Sequence, residues 1–323
     1  MLKNFWYPVL VNTDLSEGSV CEIRLFDQSI AVYRGHNGVV HALEDACAHR
    51  SAPLSKGKVI ANQLRCPYHG WSYDGQGQCQ HIPALEQNKS IPKAATVSSY
   101  PIMEAVGLIW LWPGSPDQAT DYPEMAAVEN TYFGNSQWEV TDYQRELDFR
   151  HSLLIENLLD PAHIHFVHEG TMSSPANAGP LNPKLEINTQ GFISGGGSKG
   201  IGVNSEFVGP ALVALYFNFG YSRSVQLFYC LPTSATTMRL IARLYAAAGS
   251  GSRERMIAGT NHVLGEDIVV LERVERRLRE GYPQLKTPIK ADWAITEFQR
   301  WCRQHSSHQS TLSSTTPISM MKD

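Results

Sequence analysis

The sequence predicts an α+β protein of two domains, an all-β N-terminal domain followed by a mixed domain with an antiparallel sheet and a long C-terminal helix. Three observations carry this. The chain has 323 residues, enough for roughly two domains. Its first third is made of short runs rich in Val, Ile, Trp and Tyr, separated by Gly, Asn, Asp and Pro. Beyond that third, strand-like segments are followed by amphipathic helices, an order that favours separate layers over a doubly wound sheet.

The expected strands of the first domain, residues 1–115, are Ser19–Phe26, Ser29–Tyr33, Val39–Leu43 and Val106–Trp112. A proline-rich linker, PGSPDQATDYPE, begins at Pro113. The second domain, residues 116–305, carries a helix over Phe149–Val167 and strands from Lys184 to Ala246. A long helix then covers Thr260–Glu280, and a shorter one Trp293–Arg303. The Ser-, Thr- and His-rich segment 306–323 reads as a disordered tail.

Composition narrows the function classes. The chain is 42% hydrophobic and 18% charged, so it buries a core and is not generally disordered. Lys and Arg number 27 against 31 Asp and Glu, a net charge of -4 that provides no basic footprint for nucleic acid. The most apolar stretch, Ala211–Leu231, is interrupted by Asn218, Gly220, Ser222, Arg223 and Gln226, and reads as two strands around a turn rather than a membrane span. Pro8 falls before any signal-peptide core, and the expectation is a soluble, cytoplasmic protein with no membrane partner.

Six cysteines are too few for a disulfide scaffold of this size. Cys21, Cys79, Cys230 and Cys302 read as free thiols. The other two sit beside histidines, as Cys47-Ala-His49 and Cys66-Pro-Tyr-His69. Two loops that each offer a thiolate and an imidazole suit either a tetrahedral zinc or a [2Fe–2S] cluster with Cys on one iron and His on the other. Cys before His in both loops is what the cluster needs, because each loop must reach both irons. The stretch Cys47-x-His49-Arg50 with Cys66-Pro67-Tyr68-His69-Gly70-Trp71 resembles the Rieske motif of the non-haem iron oxygenases.

A second constellation lies at Asn157, Asp160, His163 and His168. At about 100° per residue all four fall in one arc of about 140°, with Ile155, Leu158, Leu159 and Phe166 on the opposite, core-facing side. Both histidines reach one metal only if the helix bends, and Pro161 supplies the cause. His165 lies outside the arc and reads as a structural or supporting histidine. A two-histidine, one-carboxylate site needs an acid from elsewhere. On the helix over 260–280 the apolar stripe is Val263, Leu264, Val270, Leu271, Val274 and Leu278, with Asp267 at its centre and Glu266 about 100° away. A carboxylate on a buried face is costly unless it is paired or metal-bound, so Asp267 is the expected third ligand and Glu266 the alternative.

This half of the chain also resembles the Rieske oxygenases, in Asn157-x-x-Asp160-x-x-His163-x-x-x-x-His168 and in Gly265-Glu266-Asp267-Ile268. The wording Glu156-Asn157-Leu-Leu-Asp160-Pro161-Ala-His163 is similar to the branch with pheophorbide oxygenase and the vanillate and dicamba demethylases. The resemblance implies a Rieske domain followed by a helix-grip (START-like) catalytic domain, and a mononuclear Fe(II) beside the [2Fe–2S] cluster. It implies a terminal oxygenase that hydroxylates or demethylates a small aromatic or polycyclic substrate with O₂. It further implies a homotrimer in which Asp160 links His163 to His69 of a neighbouring subunit, with Asn157 near the iron.

Gly195-Gly-Gly-Ser-Lys-Gly200 matches a dinucleotide fingerprint, but an alternating, strand-like stretch follows it where a helix is required. It reads as a hairpin loop, so NAD(P)H would act only indirectly, through a separate reductase or ferredoxin. The competing readings are a Rieske electron carrier without oxygenase activity and a zinc-stabilised binding module. The resemblance also implies a pocket lined by the sheet and long helix of the catalytic domain, with Leu215, Phe217, Phe219 and Phe228 as candidates.

Overall fold

Three two-residue turns organise the first domain. Phe26–Asp27, Ala61–Asn62 and Val106–Gly107 all have positive φ at both positions, the backbone that lets a tight hairpin follow the strand twist. The computed structural model describes residues 2–195, 203–218, 223–249 and 252–312. Its first domain contains β1 (Tyr7–Val11), β2 (Val20–Leu25), β3 (Gln28–Arg34), β4 (Val40–Glu44), β5 (Lys58–Ile60), β6 (Gln63–Arg65), β7 (Ser72–Tyr73), β8 (Cys79–His81), β9 (Ile102–Ala105) and β10 (Leu108–Leu111). They form three small antiparallel sheets, ordered β1-β10-β9, β2-β3-β4 and β5-β6-β7-β8.

The second domain begins with β11 (Trp138–Leu147), α1 (His151–Leu159) and α2 (Ile164–Val167). Six strands follow: β12 (Lys184–Ile187), β13 (Gly191–Gly195), β14 (Val203–Val208), β15 (Leu212–Asn218), β16 (Arg223–Pro232) and β17 (Met238–Ala247). The chain ends on α3 (Arg253–Arg279) and α4 (Trp293–Leu312). The seven strands make one antiparallel sheet, ordered β11-β17-β16-β15-β14-β13-β12.

Both faces of that sheet are covered, which explains the long apolar runs of β15 and β16. Leu227, Tyr229, Ile241 and Tyr245 pack with Trp6, Trp110 and Leu111 of the first domain in one core. The alternate residues Phe228, Cys230, Leu240 and Ala242 pack under α1, α3 and α4 with Phe149, Leu154, Leu271 and Phe298. At the junction, Trp110 meets Tyr229 edge-on, with ring centroids 5.6 Å apart. Glu129, fully buried, accepts hydrogen bonds from Tyr229 at 2.6 Å and from Tyr245, and pairs with Arg243 at 3.0 Å. Burial lifts the Glu129 carboxyl above its ordinary range, against the opposing pull of Arg243 and the two tyrosine hydroxyls. Arg243 also donates to the Val106 carbonyl and pairs with Asp142.

Several expectations are revised. Val106 belongs to a turn, not to a strand. Strands β1, β5–β9 and β11 had no sequence expectation; most of the first-domain ones are too short to show alternation. The helix expected over 149–167 is two helices, because Asp160 ends α1 in extended backbone just before Pro161. That break resets the helical phase, and Phe166 is 61% exposed rather than packed in the core. Val270 is likewise 43% exposed, on the flank of α3 rather than in its buried stripe. α3 starts seven residues early, where Ser252 caps it by accepting a hydrogen bond from the Arg255 N–H at 3.3 Å. α4 continues to Leu312, into the segment expected to be a tail. The glycine run at 196–200 lies outside the described residues, but antiparallel β13 and β14 flank it, as a hairpin requires and a dinucleotide fold does not. Among the described residues no helix is long and apolar enough to cross a membrane.

Candidate metal centres and the adjoining cavity

The Cys47 and Cys66 loops close by the same pair of backbone hydrogen bonds. The Cys47 N–H donates to Ala52 O at 2.9 Å and Ser51 N–H to Cys47 O at 2.8 Å; Cys66 N–H donates to Trp71 O at 2.8 Å and Gly70 N–H to Cys66 O at 3.2 Å. The fifth residue of each loop, Ser51 or Gly70, has positive φ, 52° and 74°. A Cβ on Gly70 would stand 3.0 Å from Pro83 Cγ, so the turn wants glycine there for space as well as backbone. The result is a pair of matched fingers. Both cysteines are buried at 3% exposure, while His49 and His69 are exposed at the tips with ring centroids 4.6 Å apart. Trp71 stacks flat on His49 at 4.8 Å. The Tyr73 hydroxyl lies 3.2 Å from Cys47 Sγ. Burial pushes the Cys66 thiol up, opposed by hydrogen bonds from the backbone of Tyr68 and His69.

The second centre draws on two helices. Asp160 turns the chain out of α1 by accepting the Ala162 N–H at 2.7 Å, which places His163 and His168 at the two ends of α2. Their rings meet at 5.2 Å and 72°. His163 Nε2 and His168 Nε2 stand 3.6 and 3.3 Å from Asp267 Oδ1 of α3. Among the described residues this is the one set of three or more His, Cys, Asp or Glu whose ligand atoms all lie within 4.8 Å of one another. The four residues of the two fingers do not converge in that way, as a tetrahedral zinc would demand. They present two buried sulfurs and two exposed imidazoles, the donor set of a two-iron cluster.

Surrounding groups orient the triad. His168 Nδ1 lies 2.7 Å from Glu266 Oε2, and Thr171 donates to Glu266 Oε1 at 2.6 Å. The Glu266 carboxylate therefore holds the Nδ1 proton, leaving Nε2 with its lone pair toward the triad. Burial disfavours the His168 cation, but Asp267 and then Glu266 outweigh it, and its pKa is raised. Burial also acts on Glu266, and Thr171 and His168 hold that carboxyl below its ordinary range. Asn157 donates to Asp267 Oδ1 at 3.1 Å. His163 Nδ1 is buried without a hydrogen-bond partner, 3.7 Å from Asp160 Oδ2. His165, as expected, stands apart from the triad and meets Ser173 Oγ at 2.7 Å. Arg150, at the N-cap of α1, ties that helix to α3 by donating its backbone N–H and its guanidinium to buried Glu275, at 3.1 and 2.7 Å.

A cavity of about 280 Å³ opens on the triad between the helices and the sheet. Its walls include Leu158, Met172, Leu215, Phe217, Phe228 and Val263. Phe219 lies outside the described residues.

The Rieske [2Fe-2S] domain family matches residues 5–101, and the vanillate O-demethylase oxygenase C-terminal domain family matches residues 147–193. The chain belongs to the Rieske oxygenase family. Chlorophyllide a oxygenase of Arabidopsis thaliana is 30% identical over 323 residues, covering 93% of this chain and 57% of the relative. The oxygenase component of dicamba O-demethylase from Stenotrophomonas maltophilia is 36% identical over 178 residues, 54% of this chain and 50% of that one. The structure of NdmA from Pseudomonas putida CBB5 superposes with a TM-score of 0.83 at 27% identity, covering 96% of this chain and 92% of that one. The chain spans about half the length of the curated relatives it matches.

The structure places the predicted site residues in two groups. Cys47, His49, Cys66 and His69 form the first; Asn157, Asp160, His163, His168 and Asp267 form the second. Asp267, not Glu266, faces both histidines. The supporting residues Thr171, Arg150 and Glu275 had no sequence expectation, whereas Trp71 was already part of the second finger's motif. Those three are ordinary residue types at ordinary positions, and only contact across the fold singles them out.

Proposed function

We propose that this protein is a terminal oxygenase that takes electrons from a separate reductase or ferredoxin and uses O₂ to hydroxylate or demethylate a small aromatic molecule. The observation that carries the reading is the convergence of His163, His168 and Asp267 at the wall of a largely apolar cavity. An electron carrier has no use for such a cavity. Cys47, His49, Cys66 and His69 would hold the [2Fe–2S] cluster, and His163, His168 and Asp267 the mononuclear Fe(II). When bound, the cluster would supply single electrons and the Fe(II) would supply the activation of O₂.

The chain's own residues prepare that chemistry. Glu266 keeps the Nδ1 proton on His168, so Nε2 is the ring atom that would bind the metal. Asn157 holds the Asp267 carboxylate in place. Leu158, Phe217 and Phe228 seat an apolar ring and exclude water. His49 and His69 reach solvent at the finger tips, where a donor protein or a second copy can approach. In the proposed homotrimer, Asp160 joins His163 to His69 of the adjacent copy. Asp160→Asn should then keep iron and sulfide at wild-type levels while turnover falls by about 10²-fold or more. Wild-type turnover in that variant would remove Asp160 from the relay.

The deciding measurement is iron and acid-labile sulfide per chain on anaerobically purified protein, with EPR after dithionite reduction. About three irons and two sulfides support the oxygenase. Two irons and two sulfides, unchanged after Fe(II) is added back, leave an electron carrier.

A further inference from the structure

The sheet face under the helices changes character where it meets the cavity. One cross-strand row, Phe192, Phe207, Val213 and Phe228, is apolar throughout and belongs to the helix-side core. Two residues along, the register aligns Ser194 on β13, Ser205 on β14, Leu215 on β15 and Gln226 on β16. All four line the cavity, on the side opposite the helix-borne triad. Ser194 and Ser205 are each only 8% exposed. Neither hydroxyl, nor the Gln226 amide, has a hydrogen-bond partner among the described residues.

Ser194 and Ser205 are buried and Gln226 is half-buried, yet their polar atoms open on the cavity, so the partner they lack within the fold must come from what occupies it. Small apolar residues would line this row without that demand, so the groups suit an occupant that forms hydrogen bonds. They are uncharged donors and acceptors. Among the described lining residues there is no Lys or Arg, and the carboxylates are Asp160 and Asp267, so an anionic group beside the row would find no countercharge in these walls. Volume sets the size. A cavity of about 150 Å³ holds a single benzene ring, and this one, at about 280 Å³, has room for one or two fused rings.

We infer that the cavity takes a neutral aromatic molecule of one or two fused rings, with a hydrogen-bonding edge read by Ser194, Ser205 and Gln226. This assignment rests on the oxygenase reading for its meaning, and its test is one of binding. The probes are 2-quinolone, which has two fused rings and a lactam edge; naphthalene, the same frame without polar atoms; and 2-naphthoate, with a charge. Binding is measured by equilibrium dialysis on the anaerobic, iron-loaded protein. 2-Quinolone should bind at least about fivefold more tightly than naphthalene, the value of one or two neutral hydrogen bonds, and 2-naphthoate should bind most weakly. Gln226→Leu and Ser205→Ala should reduce or abolish the 2-quinolone preference with the Rieske EPR signal unchanged.

The assignment is overturned if naphthalene binds as well as 2-quinolone, if 2-naphthoate binds best, if none of the three binds, or if the preference survives intact in both variants. Selective binding without hydroxylated product, once a surrogate reductase is supplied, upholds the cavity assignment and removes the oxygenase reading instead.

Discussion

The two cysteine–histidine fingers are shaped by hydrogen bonds within each loop, whereas the His163–His168–Asp267 set is assembled from two helices far apart in sequence. In the fingers the backbone does the positioning, through matched loop closures and a left-handed residue in each turn. In the triad, side chains position other side chains: Glu266 orients His168, Asn157 holds Asp267, and Arg150 ties α1 to α3 through Glu275. Exposure differs as well. The finger histidines face solvent and the triad is largely buried. Under the proposed function, accessible ligands suit electron exchange with a donor, and a largely buried triad suits chemistry on a substrate in the cavity. The difference also sets where each is vulnerable: the fingers to changes in their own loops, the triad to changes in its distant supports.

The strongest break in this comparison is at the ligands themselves. Asp267→Ala should leave the cluster's iron and sulfide in place while the remaining iron is lost, with turnover down on the order of 10³-fold or more. Metal analysis beside EPR reads both, and full iron retention would show that the triad is not the site. Next in size is Arg243→Ala, which strips the countercharge from buried Glu129 and the clamp on the Val106 carbonyl. Denaturant unfolding should show a loss of about 3–5 kcal/mol, with Arg243→Met costing less if packing supplies part of the effect. A loss below about 1 kcal/mol would mean that the domains are held by the Trp110–Tyr229 core alone.

Glu266→Gln should then lower Fe(II) affinity by about 10- to 100-fold without changing the Rieske spectrum. Iron loss as complete as in Asp267→Ala would make Glu266 a ligand. The smallest effect belongs to the fingers. Gly70→Ala should cost about 1–2 kcal/mol from its left-handed backbone, plus the crowding against Pro83, read as a lower midpoint for thermal bleaching of the cluster. An unchanged midpoint would show that this loop yields without strain.

The amino-acid sequence alone determined the chemistry-bearing spacings. Cys47-x-His49 and Cys66-x-x-His69 are local, so the loops they build follow from their own residues and from the turn at Gly70. Pro161 broke the helix where its missing N–H required, and that break brought His163 and His168 to one side. The alternating runs of β2, β3 and β4 were legible for the same reason: the period of a strand lies in the strand itself.

Only the tertiary structure decided what depends on which neighbour covers a face. Phe166 and Val270 are apolar yet largely exposed, Phe166 because the helical phase is reset at Pro161 and Val270 because it lies on the flank of α3. Glu266 and Asp267 are adjacent acids, and the placement of α3 against α1 turned one toward the two Nε2 atoms and the other toward Nδ1 of His168. The Phe26–Asp27 turn carries no Asn-Gly signature; its two N–H groups are satisfied by the carbonyls of Pro232 and Thr233 in the other domain, at 2.8 and 2.9 Å. The Ser194–Ser205–Gln226 row exists only through strand register, since residues scattered over three strands become one surface when the backbones pair. Spacing is written in the chain, but burial and register arise between segments that meet only after folding.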